Sequence, residues 1–419
     1  MTGFFSLLFF ESGWNVHSFV DYGLSVLRHR GGSLSLICWK SGDRVSCEEY
    51  GNGETRDRPR SRAVVTALLD RRRVDEHVVR GDRVAVVSDR PSRYLGEVAG
   101  IVEKALASAK PHEELSKHLR VLKDVDVPTF TAVSSREEVV AWRSSLGLTP
   151  LAVGGYGFDM AVTSTETSLI EVLDADVRRH LLPGEGLYIS KNQVRLFNSG
   201  SSSRCRLCLF ELLYTARHDS IVDGVSVYEF RKKLGESLGR YLESRVDAIV
   251  GVPETAIPYA IGLSRSTGVP LEFGFVSTAR EARSMLKECV RDRLVAVHLK
   301  LNPVRRVLEG KSIAVVDDSM VTGSTLKTVA QLLRYRIGVR EIHVFIASPK
   351  LVSTCPYGVV ALDPETLISA HLDELSIEKY LDVDSVNWLR DEDVDSVADL
   401  FRIRLCAACF GRDLVGEGR

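Results

Sequence analysis

The sequence lacks a surplus of either charge, and it has no low-complexity tract or sustained repeat. With 55 basic and 56 acidic residues, no global field draws the chain to nucleic acid or to an anionic membrane. The apolar start, Phe4–Phe10, is too short to span a bilayer and has no basic residue before it. It is expected to form a buried first strand rather than a signal peptide. A cytoplasmic, soluble protein with neither nucleic-acid nor membrane partners is therefore expected. What is present is length: 419 residues predict two or three domains and ample core.

Eight cysteines are the informative part of the composition. In a cytosolic chain of this size, metal or cluster ligation explains them better than a disulfide framework. Cys406 and Cys409 make one C-x-x-C pair, Cys205 and Cys208 a second, and Cys355 stands before Pro356-Tyr357-Gly358. Two such pairs can bind zinc, which the spacing alone favours over an iron–sulfur cluster.

The strongest chemical signal lies at residues 313–325, a hydrophobic run that ends in Asp317 and Asp318 and turns into a Gly/Ser/Thr loop. Ile313–Val316 has the length and β-branched content of a buried parallel strand, and Leu326–Tyr335 is apolar at helical spacing. A strand, a hydroxyl-rich loop and a helix in that order form a phosphate site. Backbone N–H groups at the helix N-terminus point at the anion, and Gly323 lets the backbone approach. Carboxylates repel phosphate, so Asp317 and Asp318 suit a diol or a hard cation such as Mg²⁺. Acids beside a phosphate cradle suggest a sugar phosphate with free ribose hydroxyls.

This stretch resembles the phosphoribosyl pyrophosphate (PRPP) loop of type I phosphoribosyltransferases. From Cys208 onward the resemblance narrows to the glutamine PRPP amidotransferases. It is carried by Cys208-Leu-Phe-Glu211, Ala216-Arg217 with Asp219-Ser220, Asp223-Gly-Val-Ser-Val-Tyr-Glu229, Val252-Pro253-Glu254-Thr255, Lys300-Leu-Asn-Pro303, Cys355-Pro-Tyr-Gly358 and Leu405-Cys-Ala-Ala-Cys-Phe410. The resemblance implies that PRPP contacts Asp317, Asp318, Ser319, Thr322, Gly323, Ser324, Thr325, Glu254, Thr255 and Lys300. It implies Mg²⁺ at Thr255, Asp317 and Asp318. It also changes the metal expectation, because some members carry a 4Fe–4S cluster that would fall on Cys208, Cys355, Cys406 and Cys409, with Zn²⁺ as the alternative. Cys38, Cys47, Cys205 and Cys289 are left over.

Two departures touch the second half. The family's basic, aromatic lid reads Ser277–Leu286 here, with only Arg280 and Arg283 as obvious phosphate ligands, and Thr322 removes a cation from the PRPP loop.

The first half resembles the same family's glutaminase domain through Tyr22-Gly-Leu24, Leu27, His29-Arg-Gly31, Gly147 with Thr149-Pro-Leu151, Ser164-Thr-Glu-Thr167 and Pro183-Gly-Glu185. The implied nucleophile is a cysteine at residue 2, where this chain has Thr2. A threonine at a free N-terminus can be activated in the same way. However, Ser88-Asp89-Arg90 stands where an oxyanion-holding Asn-Gly is expected, and Asp89 puts negative charge against developing negative charge. No His-x-Arg-Tyr-Ser-like word occurs around Arg62–Leu69, and the segment from Arg56 to Val127 is short for the substrate pocket.

The expected fold is an N-terminal Ntn-hydrolase-like αββα sandwich, then a type I phosphoribosyltransferase α/β domain with a parallel sheet. The expected boundaries are 1–206 for the degenerate glutaminase domain, 207–375 for the transferase domain and 376–419 for a helical, cluster-binding tail. The expected activity is transfer of phosphoribosyl from Mg²⁺–PRPP to ammonia without the chain's own glutaminase. A second expectation is a non-catalytic PRPP-binding regulator or partner of an intact amidotransferase, and a third is transfer to a nucleobase. Expected partners are PRPP, ammonia, further copies of the chain, and a separate glutaminase or intact amidotransferase.

Overall fold

A computed structural model of the protein describes residues 2–11, 13–51, 61–276 and 301–412. The N-terminal strand Gly3–Phe9 is buried along its whole length and lies inside a seven-stranded antiparallel sheet. Its neighbours are Met160–Ser164 and Ala63–Leu69, and the sheet continues to Asp176–His180 on one side and Arg44–Gly51 on the other. A second antiparallel sheet of six strands runs from Gln193–Asn198 to Val78–Arg80.

Side chains that alternate along each strand sort into different cores, as the two-residue strand period requires. Phe4 and Leu8 point between the sheets, where they meet Ala85, Val87, Val139 and Ala141 of the second sheet. Phe5, Leu7 and Phe9 point outward, against Val20, Leu24 and Leu27 of the helix Val16–Leu27. On the far side Val84, Val86, Val140 and Trp142 pack on the helices Leu95–Leu106 and Pro111–Arg120. The result is the expected sandwich of two sheets between helices.

The second domain is built on a four-stranded parallel sheet in the order Ala248–Gly251, Ser312–Asp317, Glu341–Ile346, Ser385–Trp388. Ile249, Ala314, Val316 and Phe345 face the helices Val227–Leu238 and Ile257–Thr267. Ala248, Val250, Ile313, Val315, Val344 and Ile346 face the opposite layer, which includes Leu326, Val329 and Leu333. Both faces are covered, so the strands Ala248–Gly251 and Ser312–Asp317 read as nearly continuous apolar runs.

Three expectations need correction. Ser385–Trp388 is a strand of the parallel sheet, so the segment after residue 375 completes the transferase-type domain before it becomes a tail. The helix expected over Leu326–Tyr335 is Ser324–Gln331, followed by a wider turn at Leu332–Ile337. Cys38 and Cys47 form a disulfide across the hairpin Leu34–Ser41/Arg44–Gly51, where the register sets them opposite one another. No helix among the described residues is long and apolar enough to cross a membrane.

Candidate functional site

Two strand ends of the parallel sheet build the site. Val316 and Val252 lie side by side, with the Val252 N–H donating to the Val316 carbonyl at 2.9 Å. The loops that leave these strands therefore start together, at the carboxyl end where open α/β sheets bind ligands. Asp317 and Asp318 close one strand and are almost wholly buried. The Asp318 N–H donates to Asp317 Oδ1 at 3.0 Å, and the Ser319 hydroxyl donates to Asp318 Oδ1 at 2.7 Å. Thr255, from the other loop, donates its hydroxyl to Asp318 Oδ2.

Burial pushes the Asp318 carboxyl above its usual range, and the Thr255 and Ser319 hydrogen bonds pull it only part of the way back. A cation at this carboxylate would hold it ionised. The Tyr214 and Tyr259 phenols are raised by burial and by the nearby aspartates.

Beyond the acids the loop turns through Gly323 into the helix Ser324–Gln331. Gly323 has φ +69°, a conformation that favours glycine, and a Cβ there would stand 3.1 Å from Ile368 Cδ1, so that side chain would have to shift slightly as well. Thr322 Oγ1 accepts from the Ser324 N–H at 3.2 Å and lies 2.8 Å from Ser324 Oγ. Thr322, Ser324 and Thr325 are exposed, which leaves the helix N-terminus open to a phosphate. Glu254 is also exposed and precedes Thr255 in the neighbouring loop. Lys300, Arg280 and Arg283 lie outside the described residues.

The four cysteines of the expected cluster come to one region. Leu207-Cys208 pairs in parallel with Leu405-Cys406, which sets Cys208 beside Cys406. Cys208, Cys406 and Cys409 are buried in one apolar cluster, and Cys355 packs against it. Burial raises the Cys208 thiol well above its ordinary value, and Cys406, Cys409 and Cys355 raise it further. Cys409 is pushed up to about 12, first by burial and then by Cys355 and Cys406. Four sulfurs are a fitting donor set for iron or zinc. Among the described residues, however, no group of three or more His, Cys, Asp or Glu side chains converges as metal ligands, at this region or at the acid pair.

At the N-terminal end the Thr2 hydroxyl is buried, 3.3 Å from His77 Nδ1. The same nitrogen lies 3.2 Å from the Ser88 carbonyl, which can only accept, so Nδ1 carries the hydrogen. Asp89 is buried, accepts from the Thr149 hydroxyl, and is raised by burial despite Arg90. Arg90 is buried too and reaches Asp126 at 2.6 Å.

Sequence reasoning missed the junction between the domains. Arg30 sits fully buried between Glu166 and Glu211, while His29 and Ser220 also bond Glu166. It missed Arg231 and His218 as well, because neither stands within a phosphate-binding word. The Cys38–Cys47 pair carried a usable signal: both residues lie on alternating strands about the Gly42 turn.

No family model matches the chain. The chain is 33% identical over 277 residues to the amidophosphoribosyltransferase of Methanothermobacter thermautotrophicus, covering 66% of this chain and 58% of the relative. It is 33% identical over 276 residues to the chloroplastic amidophosphoribosyltransferase of Glycine max, covering 66% and 48%. The chain thus spans about half the length of the curated relatives it matches. The glutamine PRPP amidotransferase of B. subtilis, complexed with ADP and GMP, superposes with a TM-score of 0.80 at 23% identity. That likeness in fold covers 100% of this chain and 99% of the other.

Proposed function

Because the chain belongs to the amidophosphoribosyltransferase family, we propose that it binds Mg²⁺–PRPP and transfers the phosphoribosyl group to ammonia. The products would be 5-phosphoribosylamine and pyrophosphate, and the chain would hydrolyse no glutamine. The observation that carries this reading is the Thr255–Asp318 contact, which joins the two ligand loops across adjacent strand ends.

Each residue then has a task. Asp317 and Asp318 accept from the ribose hydroxyls and hold Mg²⁺ with Thr255. Ser319, Thr322, Gly323, Ser324 and Thr325 cradle the 5′-phosphate with backbone N–H groups and hydroxyls. Glu254 and Thr255 lie at the pyrophosphate end, and Lys300 is assigned there by resemblance. Mg²⁺ supplies charge neutralisation for the departing pyrophosphate. The protein's own contribution is alignment of an anomeric carbon with ammonia and exclusion of competing nucleophiles.

The lack of a glutaminase is supported by Asp89 and Arg90 at the oxyanion position and by Thr2 in place of cysteine. Cys208, Cys355, Cys406 and Cys409 would hold a 4Fe–4S cluster or, failing that, Zn²⁺, and would fasten the tail to the domain junction. Ammonia would come from solution or from a separate glutaminase or intact amidotransferase, and a homo-oligomer is the proposed assembly.

The test is to supply Mg²⁺–PRPP with either ammonium or glutamine and to assay pyrophosphate. Release with ammonium alone supports the proposal. Binding of PRPP without release supports a PRPP sensor instead, and no binding rejects both.

A further inference from the structure

We infer that His218 is a positioning residue that holds the loop Val252–Thr255 in place for the pyrophosphate end of the ligand. This inference rests on the proposed phosphoribosyl function and assigns a residue that the ligand itself does not touch.

The imidazole of His218 lies between two groups of fixed polarity. Its Nε2 is 3.1 Å from the carbonyl oxygen of Glu254, which only accepts. Its Nδ1 is 2.9 Å from Arg231 Nη1, and a guanidinium only donates. One tautomer satisfies both contacts: Nε2 carries the hydrogen and gives it to Glu254, while Nδ1 accepts from Arg231. The ring is therefore neutral, in agreement with the downward push of burial and of the Arg231 charge.

The support behind the ring is rigid. Arg231 is fully buried on the helix Val227–Leu238, with Nε donating to the Leu212 carbonyl at 2.7 Å and Nη2 to the Ala216 carbonyl at 2.8 Å. Two residues after His218, Ser220 is tied to buried Glu166 of the first domain. Tyr259 fixes the same segment through the Leu213 carbonyl at 2.8 Å. An immobile donor thus meets the carbonyl of an exposed loop residue, Glu254, immediately before Thr255.

Holding that carbonyl sets the orientation of the peptide leading into Thr255, and so the direction of the hydroxyl that reaches Asp318. No hydrogen bond of His218 goes to the loop Ser319–Thr325. Loss of its Nε2–H should therefore weaken the pyrophosphate end of the site and spare the end that takes ribose 5-phosphate.

The experiment compares the full-length protein with His218→Phe, which keeps a ring but no donor, and His218→Gln, whose amide N–H can reach the same carbonyl. Calorimetry would measure Mg²⁺–pyrophosphate and ribose 5-phosphate separately. His218→Phe is expected to weaken pyrophosphate about three- to tenfold, the range of one hydrogen bond, and ribose 5-phosphate by less than about twofold. His218→Gln is expected to restore most of the loss. A Phe variant that binds pyrophosphate like the wild type, or loses both ligands equally, overturns the inference, as does a Gln variant no better than Phe. Wild-type protein that binds neither ligand rejects the proposed function, and the inference falls with it.

Discussion

Thr255 gives its hydroxyl to Asp318 across the gap between two neighbouring strands, so the loops are joined in the protein itself. The contact occupies a carboxylate oxygen that burial would otherwise leave costly to ionise. Ligand and cation then enter a site whose halves already stand in register.

Replacing Asp317 and Asp318 together with Asn keeps the shape and removes the charge. Charge-assisted hydrogen bonds contribute roughly 1.5–3 kcal/mol each, so PRPP affinity should fall about tenfold or more per lost bond. Titration calorimetry with Mg²⁺–PRPP checks this. Unchanged affinity in the double variant would show that the acids are a relic of the scaffold.

For the nitrogen source, glutamine should give no glutamate above the level of a Thr2→Ala control. The reason lies at buried Asp89 and Arg90, which stand where an oxyanion-holding Asn-Gly is expected, and at Thr2 in place of cysteine. Coupled glutamate detection on both proteins decides it. Release that depends on Thr2 would sink the idea of a silent first domain.

Anaerobic purification should yield a brown protein with about four irons per chain, lost when any one of Cys208, Cys355, Cys406 or Cys409 becomes Ser. The buried thiols are raised far above neutrality without metal, so loading must release protons. Iron and zinc analysis gives the readout. Stoichiometric zinc without iron would assign the site to the alternative metal.

At the domain junction Glu166 is held at about 2: burial pushes it up, but Arg30, His29 and Ser220 outweigh that push. A carboxyl lowered by folding contributes stability that is full above its unfolded value near 4.5 and fades as pH falls toward about 2. Glu211 is shifted the other way by burial, so its contribution runs with the opposite sign. Glu166→Gln should cost about 3–5 kcal/mol at neutral pH by leaving a buried cation short of a partner. It should also flatten the loss of stability between pH 5 and pH 3, by about the same order. Urea melts across that range test this, and curves parallel to the wild type would refute it.

Much of the architecture was legible because strand periodicity is local. The near-continuous apolar runs at Gly3–Phe9 and Ser312–Asp317 each announce a strand buried on both faces. The acid pair and the Gly323 turn were legible for the same reason: their chemistry is contained in a dozen consecutive residues. Arg30, Arg231 and His218 were not, since each acquires its partners from segments distant in the chain. The boundary at residue 375 failed because Ser385–Trp388 is short and alternating, unlike its long apolar neighbours. Cys38 and Cys47 were set aside on grounds of compartment, whereas the hairpin register brings them face to face.

The parallel bridge between Leu207-Cys208 and Leu405-Cys406 also imposes an order of assembly. Every strand of the sandwich lies before residue 199, so that domain can be complete while the rest of the chain is still being synthesised. The transferase-type sheet must wait for Trp388, and the bridge must wait for Cys406. At about 5–20 residues per second, Cys208 stays without its partner strand for roughly 10–40 s of translation. A ribosome-bound chain whose Trp388 has emerged while Cys406 has not should therefore present two folded domains and a Cys208 not yet covered by its partner strand. Alkylation of Cys208 in such a ribosome-bound intermediate, and its protection in the finished protein, would time the closing of the seam.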